Sequence, residues 1–252
     1  MKAFESHQFV LTLGLKKDKI ESYENYPFCL PIVKNLKEIR FHDAVTYFVG
    51  ENGSGKSTLL EALAVSLGFN PEGGTINFNF NTRTSHSVLH QYLRIAKGIK
   101  RPKTGFFLRA ESFFNVATEI EALDKEFSFG PPIIDSYGGV SLHEQSHGES
   151  FFALMKNRFG SNGLYILDEP EAALSPNRQM AMISLIHQLV KNGCQFIIAT
   201  HSPIILSYPN ATILEIRENG LEEVEYEDTD TFAITKRYLN HYRSMLEILL
   251  EE

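Results

Sequence analysis

Four short stretches of the chain carry residues whose types and spacing could do chemistry. The first runs from Gly50 to Ser57 in the arrangement G-x-x-x-x-G-K-S, between an apolar run and a helical pattern. Glycines here let backbone N–H groups turn toward phosphate oxygens, and the following helix points its positive end at them. A plain Gly-rich turn would not explain Lys56, which is expected to reach the β- and γ-phosphates while Ser57 binds Mg²⁺, so the stretch predicts a nucleotide site. The residues expected to contact the nucleotide there are Gly50, Glu51, Asn52, Gly53, Ser54, Gly55, Lys56, Ser57 and Thr58.

Two adjacent carboxylates end the apolar stretch "GLYILDE". A strand points successive side chains to opposite faces, so Asp168 and Glu169 cannot do the same job. Asp168 suits the Mg²⁺ site, as a ligand or directly behind one, and Glu169 suits polarising a water for attack on the γ-phosphate. Two acids at a strand end are otherwise typical of a solvated turn, but the phosphate motif favours the metal and water roles.

A histidine follows another apolar run, "QFIIATHSP". A histidine at a strand end is usually a surface or capping residue. This strand is expected beside the one that bears Asp168, so the ring of His201 could hydrogen-bond the γ-phosphate or the attacking water. His201 is therefore the second candidate catalytic residue, with Glu169.

The fourth stretch, "QSHGES", stands ahead of the helical pattern "FFALMKNRF". Ser146 as N-cap with Glu149 three residues on satisfies the capping box, in which each side chain takes up an orphan backbone N–H. The stretch therefore predicts the beginning of a helix, whatever else its residues do.

Strands and helices must alternate along the chain to bring these stretches together. Apolar, β-branched and aromatic runs predict strands at "QFVLTLG", "AVTYFVG", "TGFFLR", "GLYILDE", "QFIIAT" and "ATILEI". Apolar spacings of three and four predict helices at "KSTLLEALAVSL", "SVLHQYLRIAK", "ESFFALMKNRF", "NRQMAMISLIHQLVKNG" and the C-terminal "TKRYLNHYRSMLEILLEE". The pattern predicts one α/β domain over residues 1–252 with a mostly parallel sheet flanked by helices, and the "RENG" turn predicts an antiparallel edge.

Length and composition restrict the classes of protein to consider. The 252 residues are 43% hydrophobic, which excludes a disordered chain, and no run of about 18 apolar residues predicts a membrane span. The start lacks a signal-peptide pattern, and Cys29 and Cys194 stand far apart without metal-ligand spacing. We expect a cytoplasmic protein without membrane insertion.

Charge is distributed unevenly along a chain whose net charge is −7. No acidic residue occurs from Gly73 to Ala110, whereas basic residues stand at Arg83, Arg94, Lys97, Lys100, Arg101, Lys103 and Arg109. The span predicts either a basic surface that could bind DNA or RNA, or a solvated face together with buried arginines.

The phosphate motif, "LDEP" and "THSP", in that order, resemble the ATP-binding-cassette (ABC) ATPase superfamily over most of residues 44–205. That family has the α/β fold of P-loop nucleoside triphosphatases, and the resemblance implies ATP and Mg²⁺ as cofactors. It also implies a small helical lobe, at about residues 112–160, that carries a signature loop of the form Leu-Ser-Gly-Gly-Gln or -Glu. The residues at the five signature positions are Gln145, Ser146, His147, Gly148 and Glu149, which match the family at Ser, at the second Gly and at the final Glu.

Head-to-tail pairing in that family implies an ATP-dependent homodimer, in which Ser146, Gly148 and Glu149 face the γ-phosphate bound by a second copy. "GFFLRAESFF" resembles the family's Q-loop, which implies a metal-sensing role for Glu111, although Gln is usual there. Ser175 stands where the D-loop usually has Asp, which puts cross-talk between the two sites in doubt. The candidates for stacking on adenine are Tyr23, Tyr26 and Phe28.

The final Glu of the signature and the lack of membrane spans look more like the soluble branch, which includes chromosome-maintenance and DNA-repair ATPases. The interval from Phe113 to Gln145 is too short for their coiled coils, so the chain is most similar to small stand-alone ATPases of the superfamily. We expect ATP hydrolysis to switch a dimer that acts on DNA or an effector protein. The alternatives are a nucleotide-binding subunit of a membrane transporter and an ATP-binding module without turnover.

Overall fold

The computed structural model describes residues 8–76, 87–111, 113–125, 132–141, 147–217 and 220–250. The strands are β1 (Val10–Leu15), β2 (Ile39–Arg40), β3 (Val45–Val49), β4 (Leu93–Lys97), β5 (Thr104–Arg109), β6 (Gly163–Asp168), β7 (Gln195–Ala199), β8 (Ala211–Arg217) and β9 (Gly220–Val224). The α-helices are α1 (Pro31–Lys34), α2 (Lys56–Leu67), α3 (Phe113–Lys125), α4 (His147–Arg158), α5 (Pro176–Lys191), α6 (Pro203–Leu206), α7 (Asp230–Asn240) and α8 (Tyr242–Leu250). Short 3-10 helices lie at Lys17–Lys19, Val88–Tyr92, Ile133–Tyr137, Pro170–Ala173 and Tyr226–Asp228.

The main sheet has six strands in the order β5-β6-β7-β3-β8-β9. All neighbours pair in parallel except β8 and β9, which form the antiparallel edge that the "RENG" turn predicts. The central strands β3, β6 and β7 are buried along their whole length, as parallel strands covered on both faces must be. The α/β fold predicted from the alternation of elements is confirmed.

Side-chain alternation divides the core between the two faces of the sheet. On β6, Tyr165 and Leu167 face the layer that contains α3, α4 and α5, whereas Leu164 and Ile166 face the layer that contains α2. The same period of two directs the side chain of Asp168 toward α2, the helix that begins at the phosphate motif.

A second, antiparallel sheet of three strands, in the order β2-β1-β4, covers the α2 side of the molecule. Gln195, at the start of β7, joins it to the main sheet. Its fully buried side-chain amide accepts from the backbone N–H groups of Phe9 and Val10 and donates to the carbonyls of Val10 and His42. One side chain therefore satisfies four backbone groups between the sheets.

One predicted helix is wrong. "SVLHQYLRIAK" has the apolar spacing of a helix, but only Val88–Tyr92 is helical, as a 3-10 turn whose N-cap is Ser87. The remainder is β4, which pairs with β1. Tertiary pairing with an available strand edge has overridden the local pattern, as commonly happens for short apolar segments.

The C-terminal helix predicted over residues 235–252 is two helices in the described chain, α7 and α8, with His241 between them. In the part of the chain that the structure describes, no helix is both apolar and long enough to span a bilayer.

We predict that Gln195→Leu lowers the free energy of unfolding by about 3 kcal/mol, because burying a few unpaired backbone groups costs roughly 1–3 kcal/mol each and partial relaxation offsets some of it. Denaturant unfolding followed by circular dichroism measures the change. Gln188→Leu, the same substitution on the exposed face of α5, is the matched control and is expected within about 0.5 kcal/mol of wild type. Equal effects from the two substitutions would show that Gln195 does not join the sheets.

Candidate functional site

The carboxyl ends of four parallel strands meet at one edge of the main sheet. Asp168 pairs in register with Arg109 of β5 on one side and with Ala199 of β7 on the other. Ala199 in turn pairs with Phe48 of β3, two residues before Gly50. Ligands of open parallel sheets bind outside this edge, and three of the four chemistry-bearing stretches begin here.

The loop between β3 and α2 has the glycine-dependent shape expected of a phosphate cradle. Gly50, Gly53 and Gly55 have φ of 151°, 79° and 99°, which side-chain-bearing residues rarely adopt. A Cβ on Gly55 would also lie 2.7 Å from the side chain of Ile32. Any residue other than glycine there would meet both backbone strain and a clash.

Lys56 begins α2, and only 4% of it is exposed. Its ammonium group donates to the carbonyl oxygens of Gly50 at 2.7 Å and Glu51 at 3.0 Å. Burial lowers the pKa of Lys56, and the nearby carboxylates of Glu169 and Asp168 oppose that shift. The structure thus holds the cation inside the curve of the loop, where the sequence predicts contact with phosphates.

Ser57 and Asp168 are in direct contact, since the Ser57 hydroxyl donates to Oδ1 of Asp168 at 3.0 Å. Asp168 is 5% exposed, and burial raises its pKa to about 6 against the opposing effects of Arg109 and Ser57. A buried carboxylate that remains protonated well above its ordinary range favours a cation beside it.

This pair of side chains fits Mg²⁺. The described residues contain no cluster of three or more His, Cys, Asp or Glu side chains that could hold a metal by themselves. Mg²⁺ does not require one, because in nucleotide sites it takes one or two protein oxygens and completes its shell with phosphate and water. The hydroxyl of Ser57 and the desolvated carboxylate of Asp168 are such a donor set.

Arg109 is a site residue that the sequence does not assign to the site. It falls within the basic span, but its side chain is only 17% exposed and contacts Glu61 of α2 at 2.7 Å. Its other nitrogens lie 3.7 Å from Asp168 and 3.6 Å from Glu111. Its position at the end of a buried strand, where a charged side chain requires partners, is the signal that could have identified it.

Glu169 follows β6 in a left-handed backbone conformation, with φ and ψ both 51°. Such a conformation is uncommon for a residue with a side chain and costs energy, and it occurs frequently at active sites. The turn directs Glu169 away from the strand and into the wall of a cavity of about 430 Å³. Asp168 and Glu169 accordingly have different surroundings, as the alternation argument predicts.

His201 lies beside Glu169, with 3.7 Å between its Nε2 and a carboxylate oxygen. Nε2 is buried and has no hydrogen-bond partner among the described residues. Burial, and then the positive charge of Lys56, lower the pKa of His201, so the neutral imidazole is favoured near pH 7. The strand order therefore brings the two candidate catalytic residues together.

The cavity next to Glu169 is also lined by Asn52, Gly53, Gly55, Lys56, Ser57, Thr58 and Glu111. Of the three adenine-stacking candidates, Tyr26 borders this cavity and is 63% exposed, with its hydroxyl 3.4 Å from that of Thr58. Phe28 instead packs edge-on against Tyr92, with ring centroids 4.8 Å apart.

Gly148 and Glu149 stand at the beginning of α4, as the capping pattern predicts, whereas Ser146 lies outside the described residues. A Cβ on Gly148 would lie 2.6 Å from the carbonyl oxygen of Ala173, so α4 packs closely on the turn that follows Glu169. Glu149 forms an ion pair with Arg178 of α5 at 3.3 Å. These contacts place the beginning of α4 against the segment that follows Glu169 in the same chain.

The basic span divides between the two predicted readings. Arg109 is buried among carboxylates, and Arg94 lies 3.7 Å from Glu38. Lys97, Lys100, Arg101 and Lys103 are exposed around the turn between β4 and β5, at the edge of the sheet opposite the phosphate loop. Arg83 lies outside the described residues.

Comparison with known families and proteins identifies the class of domain. A family model described as an AAA ATPase domain matches residues 146–206, and one described as an AAA domain matches residues 19–122. The ribose import ATP-binding protein RbsA of Bacillus cereus is 28% identical over 193 residues, which cover 68% of this chain and 37% of the relative. By these matches the chain is similar to AAA/ABC-type P-loop ATPases.

A second relative is the energy-coupling factor transporter ATP-binding protein EcfA2 of Methanospirillum hungatei. It is 26% identical over 247 residues, which cover 90% of this chain and 58% of the relative. The chain therefore spans less than two thirds of the length of both relatives. A solved structure described as an inward-facing metal-chelate type ABC transporter has a TM-score of 0.51 at 16% identity, covering 91% of this chain and 88% of that one. This last likeness is one of fold.

We predict that Asp168→Asn stabilises the nucleotide-free protein, and more so as pH rises. The folded-state pKa of about 6 lies above the ordinary value of 3.8, so the contribution of Asp168 to stability is complete below pH 3.8 and is lost as pH rises through 6. Unfolding at about pH 4.5 and about pH 7.5 should show the advantage of Asn growing by roughly 1–2 kcal/mol. If the stability gained by Asp168→Asn decreased as pH rises, burial would not be raising the pKa of Asp168.

Proposed function

We propose that this ATPase domain binds and hydrolyses MgATP at the cavity beside Glu169, and that ATP-driven head-to-tail dimerisation makes it a switch acting on DNA or an effector protein. The observation that carries the proposal is the convergence of Lys56, Ser57, Asp168, Glu169 and His201 at the carboxyl ends of three neighbouring strands.

Phosphate binding falls to the loop and to Lys56. The N–H groups of the Gly50–Ser57 loop and the beginning of α2 favour an anion, and the buried ammonium of Lys56 adds a charge-assisted contact. Ser57 and Asp168 would hold Mg²⁺, which neutralises charge on the phosphate oxygens when bound. Tyr26 stacks on the adenine base, because its exposed ring borders the same cavity.

Glu169 activates the attacking water, and His201 lies beside it. The carboxylate accepts hydrogen bonds from the attacking water and orients its oxygen, a role typically worth about 10²- to 10⁴-fold in rate. Neutral His201 has an unpartnered Nε2, which can donate to the γ-phosphate or hold the water from the other side. Glu111 lines the cavity and contacts Arg109, which supports a role near the metal.

Dimerisation supplies the remaining contacts of the site. Gly148 and Glu149 belong to the beginning of α4, which packs on the turn after Glu169, and Ser146 precedes them in the sequence. A helix N-terminus attracts phosphate, so α4 of one copy suits the γ-phosphate bound to another. The ion pair between Glu149 and Arg178 supports a fixed orientation of that helix end.

The second candidate function is that of a nucleotide-binding subunit of a membrane transporter, which the names of the two relatives favour. Such a subunit would show ATPase activity chiefly in the presence of a membrane partner. Purification from membranes solubilised in detergent, followed by identification of co-purifying proteins, separates the two functions. Membrane-spanning partners support the transporter, whereas DNA or a partner without membrane spans supports the switch.

We predict that Glu169→Gln lowers steady-state phosphate release at least about 100-fold, because Gln keeps the shape of the side chain and loses its basicity. ATP should still bind, and the stalled protein should elute as a dimer by light scattering only with ATP and Mg²⁺.

Glu225→Gln, an exposed change of the same chemistry, is the matched control and should leave turnover within about 2-fold of wild type. Adding Lys56→Ala to Glu169→Gln should abolish the dimer by removing the ammonium that meets the phosphates. Unchanged turnover in Glu169→Gln would assign the water to another residue.

A further inference from the structure

Glu171, two residues after Glu169, binds the end of the neighbouring strand with both carboxylate oxygens. One oxygen accepts from the hydroxyl of Thr200 at 2.7 Å, and the other accepts from the backbone N–H of His201. Thr200 is fully buried, whereas Glu171 is partly exposed. A single side chain on the Pro170–Ala173 turn thereby fixes two consecutive residues after β7.

Further hydrogen bonds hold the rest of this turn. Oγ1 of Thr200 accepts from the N–H of Ser202 at 3.0 Å, and the Ser202 hydroxyl donates to the side chain of Gln179 on α5 at 2.6 Å. Hydrogen bonds to Glu171 and Gln179 therefore hold residues 200–202, and both of these residues follow Glu169 in the chain. The backbone that carries His201 cannot move without breaking these contacts.

The imidazole of His201 depends on that backbone for its place. Its Nε2 lacks a hydrogen-bond partner among the described residues, and Glu169 is 3.7 Å away, beyond hydrogen-bond distance. In the described structure no hydrogen bond at Nε2 holds the ring beside Glu169. The fixed backbone at residues 200 and 201 does so instead, through Cα and Cβ.

We propose that Glu171 is a positioning residue for ATP hydrolysis, which sets the imidazole of His201 against Glu169 by holding the Thr200 hydroxyl and the His201 N–H. The inference rests on the proposed roles of Glu169 and His201. The carboxylate gives each partner an acceptor of its own: the His201 N–H can only donate, and the Thr200 hydroxyl keeps its lone pairs for the Ser202 N–H while it donates to the second oxygen. Glutamine supplies one acceptor and turns an NH₂ group toward the second donor.

Glu171→Gln tests the proposal at nearly constant shape. We expect kcat to fall about 10- to 100-fold, since small displacements of catalytic groups have effects of this size, while ATP affinity changes less than about 2-fold. Thr200→Val, which removes the hydroxyl and keeps the His201 N–H bond, should give a smaller loss of kcat and serves as the second variant should Glu171→Gln unfold. A loss confined to ATP affinity, or unchanged kcat in both folded variants, would overturn the proposal.

A double-mutant cycle shows whether Glu171 acts through His201. When His201→Ala is already present, Glu171→Gln should reduce the residual rate by less than about 2-fold, because no imidazole remains to be positioned. Fully additive losses would assign Glu171 a role independent of His201 and overturn the inference. The wild-type rate separates this failure from that of the proposed function: a wild-type protein without turnover overturns both, whereas normal wild-type turnover with additive losses overturns only the role of Glu171.

Discussion

The in-register parallel pairing of β3, β5, β6 and β7 is the constraint on which the rest of the structure depends. Backbone hydrogen bonds align Arg109, Asp168 and Ala199 across three strands, and the phosphate loop leaves β3 at the same level. Parallel strands have their carboxyl ends on the same side of the sheet. The loops that follow them therefore converge although they are far apart in the sequence. A slip of one residue in β6 would turn Asp168 away from α2 and leave Ser57 without its partner.

Burying charged groups at the carboxyl ends of these strands costs folding free energy, and bound nucleotide and metal would offset that cost. Lys56 is 4% exposed and Asp168 is 5% exposed. Burial lowers the pKa of Lys56 and raises that of Asp168, and both shifts favour the neutral form of the group. Arg109 partly offsets the cost of Asp168, while Glu61 anchors Arg109 to the helix that follows the phosphate loop. Phosphates beside Lys56 and a cation beside Asp168 would stabilise the charged form of both groups. The arrangement that destabilises the free protein is therefore the one that favours nucleotide and metal.

Much of the fold and part of the site could be predicted from the sequence, because local patterns carry them. Glycine spacing, a lysine and apolar runs ending in acids predict the phosphate loop, Asp168 and Glu169, and strand order then places His201. The small antiparallel sheet could not be predicted, since β4 has helical spacing and becomes a strand only through pairing with β1. Glu171 was missed for a related reason. Its importance arises from two donors about 30 residues away that only the folded sheet brings near.

A crystal structure of Glu169→Gln with ATP and Mg²⁺ would show whether the strand ends and the loop from Gly50 to Ser57 form one MgATP site. We expect the β- and γ-phosphates within hydrogen-bond distance of Lys56 and of the loop N–H groups, with Mg²⁺ bound by Ser57 and Asp168. His201 should lie on the γ-phosphate side of the cavity. Nucleotide bound elsewhere, or phosphates out of reach of Lys56, would contradict the account.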